Sequence, residues 1–341
     1  MSMLLVVCAL SAAPPINIIF DTDMHTDCDD AGALAVLHAL AGEGLAHIVG
    51  VVHTAPAPFG PMCADAINTY YGRGDIPVGG MVWPEYPASP RFEHYAAAAK
   101  SVEQTGADYV ETIARNFPRT QTKEGRPVPE SVTQYRRLLA NAADGSIVIC
   151  AVGQLAGLAG LLDSGSDTIS PLSGAELARQ KVRLLVTMAL GAWPEGHDTF
   201  NWICDIPSAA RVLNAWPGPM AVMPHGENIL TGGRLVAEGP KDSPVRRIYE
   251  IYVKRDDHLR PSWDLCAAYY AVKGPGALFR ARSGRRLRFD ATTGRHEWIP
   301  GPDSQHIYVE RVATPETIAA AVEELLCRRP VSASKSARTN P

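Results

Sequence analysis

Apolar residues along the chain gather into short continuous runs, and these alternate with stretches of helical periodicity from the N-terminus onward. Ile16-Asn17-Ile18-Ile19-Phe20 reads as a buried strand, Asp30 to Leu40 as a helix and Ile48 to Val52 as a second strand. Further strands are expected at Ile76 to Gly80, Ile147 to Val152, Val182 to Ala189 and Met220 to Met223. Helices are expected between them at Pro61 to Tyr71, Tyr109 to Phe117, Val132 to Ala143 and Pro207 to Ala215. Strands that are apolar throughout, rather than at every second position, are covered on both faces, as in a parallel sheet between two helical layers. The expected fold class is therefore α/β, a single large domain with a mostly parallel central sheet and helices on both faces. Toward the C-terminus, Pro244 to Lys254 and Trp263 to Val272 read as helices, and Leu278 to Ile299 as a β-hairpin turning near Thr292-Thr293-Gly294. A last helix should run to about Cys327, with Thr314 as its N-cap and Pro315 at its first position.

Composition adds boundaries to this pattern. The chain has 341 residues with 32 Lys+Arg against 36 Asp+Glu, a net charge of −4, and no basic stripe of the kind a nucleic-acid backbone requires. Its 29 Gly and 27 Pro point to long structured connections, which often carry sites. Seven cysteines without any CxxC spacing argue against a zinc ribbon and read as small buried hydrophobes. Residues 1–15 include the apolar stretch Met3 to Ala13, too short to span a bilayer but similar to the core of a signal peptide. Export to the periplasm or medium is the expectation, with a cytoplasmic chain whose first residues cap the fold as the alternative. No later segment approaches a membrane span. Residues 16–327 should form the domain, and the polar residues 328–341 a disordered tail.

The sharpest chemical feature follows the first strand: Asp21, Asp23, Asp27, Asp29 and Asp30 place five carboxylates within ten residues. In open α/β sheets ligands bind beyond the carboxyl ends of strands, where this loop must lie. Packed like charges repel, and a hard divalent cation with oxygen ligands, Ca²⁺ or Mg²⁺, relieves that repulsion. Asp29 and Asp30 could alternatively do no more than favour a helix N-terminus. An EF-hand is excluded, because no frame from Asp21 or Asp23 has the required glycine and glutamate. A phosphohydrolase of the haloacid-dehalogenase type also uses Asp-x-Asp after its first strand. It would, however, carry Thr or Val where this chain has His25, and it would leave Asp29 and Asp30 without a role.

Asp21-x-Asp23, then Asp29-Asp30 and the small apolar helix beginning Ala31-Gly32-Ala33-Leu34, resemble the signature of the inosine-uridine nucleoside hydrolase family. The similarity continues through Gly153-Gln154-Leu155-Ala156-Gly157, Phe200-Asn201 with Asp205, and Trp263-Asp264, and so covers Ile16 to about Leu326. The resemblance implies one Ca²⁺ held by Asp23, Asp30, the backbone carbonyl of Ala156 and Asp264. It implies Asp23 as the base on the attacking water, Asp29 as a ribose hydroxyl contact and Asn201 as a second. The implied reaction is hydrolysis of the N-glycosidic bond of ribonucleosides to ribose and free base, through an oxocarbenium-like transition state. A small-molecule nucleoside, scavenged for salvage, would be the partner, and a homo-oligomer the assembly.

The chain also departs from that pattern. His25 stands where the family usually has Gly, and the lengthened loop lets Asp27 take the role given to Asp29. Thr199 occupies the place of a common sugar-binding Glu, and Trp263 the place of a His that protonates the leaving group in some members. His25, His53 and His197 are the remaining candidates for that acid. Trp193 and Trp202 could stack on a base, although core packing is the more ordinary use of each. These departures also motivate a second reading, a metal-dependent protein that binds ribose or nucleosides without turnover.

Overall fold

The computed structural model describes residues 13–82, 89–123, 126–191 and 193–330. Its main sheet has eight strands: β1 (Ile16–Thr22), β2 (Ala46–His53), β3 (Val78–Gly80), β4 (Ile147–Ala151), β5 (Val182–Met188), β6 (Met220–Met223), β7 (Phe279–Arg282) and β8 (His306–Arg311). They lie in the order β7-β8-β6-β5-β4-β1-β2-β3. Every pairing is parallel except that of β7 on β8. This is the single α/β domain expected from the apolar runs. Its central strands are apolar on both faces because helices cover both: Ile147, Val148, Ile149, Cys150 and Ala151 are all buried.

The connections from β1 lead outward to β2 and β3 on one side, while β4, β5 and β6 build away on the other. The strand order therefore reverses between β1 and β4, and that reversal opens a crevice at their carboxyl ends. The acidic loop emerges there, directly after β1.

One helical layer contains Asp29–Gly42, Trp263–Lys273 and Pro315–Leu326, and the opposite layer contains Ser131–Ala140, Ala156–Asp163 and Ile206–Ala215. Helix Asp29–Gly42 is buried from Asp29 through Leu40, which explains why it is apolar on all sides rather than striped. It comes close to helix Trp263–Lys273 because Gly32 has no side chain. A Cβ there would stand 2.6 Å from the Tyr249 hydroxyl and 2.8 Å from Leu265 Cδ1. The last helix carries its expected cap, with the Thr314 side chain accepting from the Thr317 amide and Pro315 in the first turn.

The expected hairpin is corrected. Phe279–Arg282 leaves it to become the antiparallel edge strand of the main sheet, and the hairpin itself joins Arg285–Phe289 to Arg295–Pro300, with Gly294 at φ 71° in its turn. A short strand, Glu195–His197, adds to the outside of that hairpin. Of the terminal segments anticipated from sequence, residues 1–12 and 331–341 lie outside the described residues. No helix among the described residues is long and apolar enough to cross a membrane.

Candidate active site

A cleft of about 740 Å³ opens at the carboxyl ends of the strands, lined by carboxylates on its floor and by aromatic rings on its walls. Asp29 and Asp30 open the first turn of their helix, and Asp264 the first turn of helix Trp263–Lys273. The close approach at Gly32 brings these two helix starts together. One carboxylate oxygen from each of Asp29, Asp30 and Asp264 lies within 4.8 Å of the others, and all three residues are buried. The Asp264 amide donates to Asp29 Oδ2 at 3.1 Å, and the Thr22 hydroxyl donates to Asp30 Oδ1.

Asp23 is a further buried carboxylate of the cleft, and its Oδ2 has no hydrogen-bond partner. A buried acceptor left unpaired is costly, and the polypeptide supplies no partner for this oxygen. Gly153 makes room for it: a Cβ at that position would stand 2.5 Å from Asp23 Cγ. Burial, reinforced by the charges of Asp21 and Asp29, pushes the Asp23 carboxyl up to about 8. Burial first, and neighbouring carboxylates second, hold Asp29, Asp30 and Asp264 well above the usual carboxylate range. An all-oxygen donor set whose members cannot all ionise unaided fits a hard divalent cation.

Asp27 and Asp21 behave differently. Asp27 lines the cleft but takes both its oxygens to Arg260, whose Nε lies 2.9 Å from Oδ1. The Arg260 guanidinium in turn sits 5.3 Å from the ring centroid of Tyr252 and 5.4 Å from that of Trp263. Asp21 is fully buried beneath the cleft, accepts from Tyr135 and, at 3.2 Å, from Thr54, and is pushed up to about 7 by burial. It does not line the cleft. A phosphohydrolase of the Asp-x-Asp type would thus lack its exposed nucleophile.

The remaining sequence-derived residues divide clearly. Asn201 lines the cleft, with its amide nitrogen 2.7 Å from the Val152 carbonyl and 3.3 Å from that of Met188. Ala156 does not reach the cleft: it starts helix Ala156–Asp163, and the residue of this segment that lines the cleft is Val152, which directly follows β4. None of the three candidate histidines lines it either. His25 is turned to the Tyr95 hydroxyl at 2.6 Å and toward Asp108 at 3.6 Å. His53 is buried, which lowers its pKa to about 4, while its Nε2 contact with the Met24 carbonyl at 3.0 Å works against that shift. His197 sits on the outlying strand Glu195–His197. Trp202 is core, as its ordinary reading has it, while Trp193 packs 4.9 Å from Tyr308, a residue of the cleft wall. Sequence reasoning did not find Arg260, Tyr252, Tyr308 or Glu227. Arg260 lies four residues before Asp264 and could have been noticed from that segment.

No protein-family model and no curated protein matches the chain by sequence. Its fold, however, superimposes on solved structures. An inosine-uridine preferring nucleoside hydrolase from Bacillus anthracis matches with a TM-score of 0.61 at 16% identity, over 92% of this chain and 99% of that one. The effector protein XOO4466 matches with a TM-score of 0.64 at 14% identity, over 92% and 93% of the two chains. The type III effector protein XopQ, solved in complex with adenosine diphosphate ribose, matches with a TM-score of 0.64 at 15% identity over the same shares. The single domain, its mostly parallel eight-stranded sheet and its acidic crevice at the strand reversal thus have the nucleoside hydrolase-like fold.

Proposed function

We propose that this chain is a Ca²⁺-dependent hydrolase of N-ribosides, releasing ribose from a leaving base. The observation that carries the reading is the meeting of Asp29, Asp30 and Asp264 beside the unpaired Oδ2 of Asp23 in one buried crevice. Asp30, Asp264, Asp23 and Asp29 would hold the cation, which when bound supplies Lewis acidity to ribose hydroxyls and water. Asp23 Oδ2, a buried carboxylate oxygen left without a partner, accepts the proton of the attacking water. The surrounding carboxylates stabilise positive charge developing on the sugar ring. Asn201, anchored by its amide nitrogen on the backbone of the strand ends, turns its carbonyl side to the sugar. Aromatic rings of Trp263, Tyr252 and Phe200 face the leaving group and keep water from it. The test is a panel of purine and pyrimidine nucleosides with Ca²⁺ added or chelated. Ribose release that chelator abolishes supports the reading, and no release from any member with Ca²⁺ present sinks it.

A second reading, riboside binding without turnover, is favoured by a specific observation: the described cleft lining contains no imidazole to protonate a leaving base. Calorimetric binding with no ribose release separates it from the first. We also propose export of the chain, which N-terminal sequencing of the mature protein tests: a start at Met1 contradicts it.

A further inference from the structure

We propose that the cleft continues past its aromatic wall into a phosphate-binding shelf formed by Arg282 and Arg285, so that the riboside it takes is phosphorylated, of the nucleoside mono- or diphosphate class. The proposal rests on the riboside reading above and deepens it. Residues 279–289 carry five arginines, at positions 280, 282, 285, 286 and 288, in a chain whose net charge is −4. Their position matters more than their number. Arg282 stands directly opposite Tyr308 in the antiparallel register of β7 and β8, which puts both side chains on one face of the sheet. Tyr308 lines the cleft, the Trp193 ring packs 4.9 Å from it, and Arg282 Cζ lies 4.1 Å from the Trp193 centroid. Arg285 Cζ is 5.8 Å from the same ring, and its Nη1 donates to the Trp298 carbonyl at 3.3 Å. One aromatic residue therefore separates the cleft wall from two guanidinium groups.

These arginines are under-neutralised. Arg282 shares the single carboxylate of Glu310 with Arg280, each at 2.7 Å. Arg285 has no ion pair among the described residues. By contrast, Arg260 and Arg136 each hold a carboxylate of their own with two nitrogens. A planar guanidinium steadied on an indole face, with donors to spare, suits the tetrahedral oxygens of a phosphoryl group. A neutral nucleoside would make no use of it. A riboside with an anionic tail would place its hydroxyls among the carboxylates and its phosphates on the arginines, so that both ends of the polarised crevice are used.

Calorimetry on the full chain with Ca²⁺ and adenosine, adenosine 5′-monophosphate, adenosine 5′-diphosphate or inorganic diphosphate tests this without requiring turnover. The expected result is affinity about tenfold or more greater for the diphosphate than for adenosine, shrinking as salt is raised. In Arg282→Gln, Arg285→Gln and their combination that ratio should fall toward unity, and Arg285→Lys should retain part of it. Equal affinity of the wild type for adenosine and its phosphates overturns the proposal. So does a preference that survives in the double variant, because chelation of Ca²⁺ by the phosphates then explains it. Inorganic diphosphate binding as tightly as the nucleotide also overturns it, by reducing the shelf to a site for free anions. A preserved preference for phosphate with no ribose release in any assay leaves this shelf intact and sinks the hydrolase reading alone.

Discussion

Two carboxylate centres in this molecule carry the same functional group and have opposite surroundings. Asp167 receives Nε and Nη2 of Arg136 at 2.8 Å each, and the same buried guanidinium also donates to the Ser170 and Leu172 carbonyls. That pairing holds the Asp167 carboxyl down at about 2. Asp29, Asp30 and Asp264 are gathered without a cationic side chain in their midst, and their carboxyls are held up instead. Arg260 lies near enough to serve them, yet it is committed to Asp27. The first centre is self-sufficient and fastens a loop. The second keeps like charges together with no counter-charge of its own, which is the physical signature of a ligand site.

The largest effect should come from removing a member of the incomplete centre. Asp30→Asn is expected to abolish Ca²⁺ binding in calorimetry and to lower riboside hydrolysis by about a thousandfold or more. Retention of both in that variant would break the contrast at its base. Next, Ca²⁺ at 100 times its dissociation constant should stabilise the wild type by about 2.7 kcal/mol in denaturant titrations, with chelator reversing the gain. Arg136→Met should destabilise the fold by about 3 kcal/mol, because two carbonyls lose a charged donor in a buried position. Its riboside KM should remain that of the wild type if the two centres are independent, and a raised KM would join them.

Gly32→Ala should cost about 1–3 kcal/mol through overpacking against Tyr249 and Leu265, and should weaken Ca²⁺ binding by spreading the two helix starts. The smallest effect concerns acid. Because the Asp167 pKa is depressed from its ordinary 3.8 to about 2, its contribution to stability is complete above pH 3.8 and is lost as pH falls toward 2. Unfolding curves between pH 2 and 5 should therefore be less steep in pH for Arg136→Met than for the wild type. Parallel curves would show that the pair does not titrate with folding.

How far the molecule was legible beforehand depends on the range of each interaction. β1, the helix after the acidic loop and the capped last helix are written in local apolar runs and cap residues, and they stand where those signals put them. The acidic loop itself was legible because five carboxylates adjoin in sequence. That Asp264 would join them followed from a resemblance in the segment Trp263-Asp264, since no local pattern marks an aspartate for a partner 234 residues away. The Asp27–Arg260 pair, at a similar separation, went unread, and so Asp27 looked interchangeable with Asp29. Ala156 lies at a helix start four residues beyond the strand end, and of the two it is the strand end that lines the crevice. The hairpin was placed correctly at its turn and wrongly at its first strand, because Phe279–Arg282 is as apolar-alternating as a hairpin arm and only the presence of β8 recruits it to the main sheet.

Gly153 and Gly32 give this site an unusual kind of rigidity, in which position is enforced by missing atoms. For anyone reshaping the cleft, the consequence is a division of labour between positions. Residues 32 and 153 should be held constant in any library, because an added methyl collides with Tyr249 and Leu265 at the first and with the Asp23 carboxylate at the second. Positions 200, 252 and 263 line the aromatic wall of the cleft, and they are the places to diversify for a new leaving group.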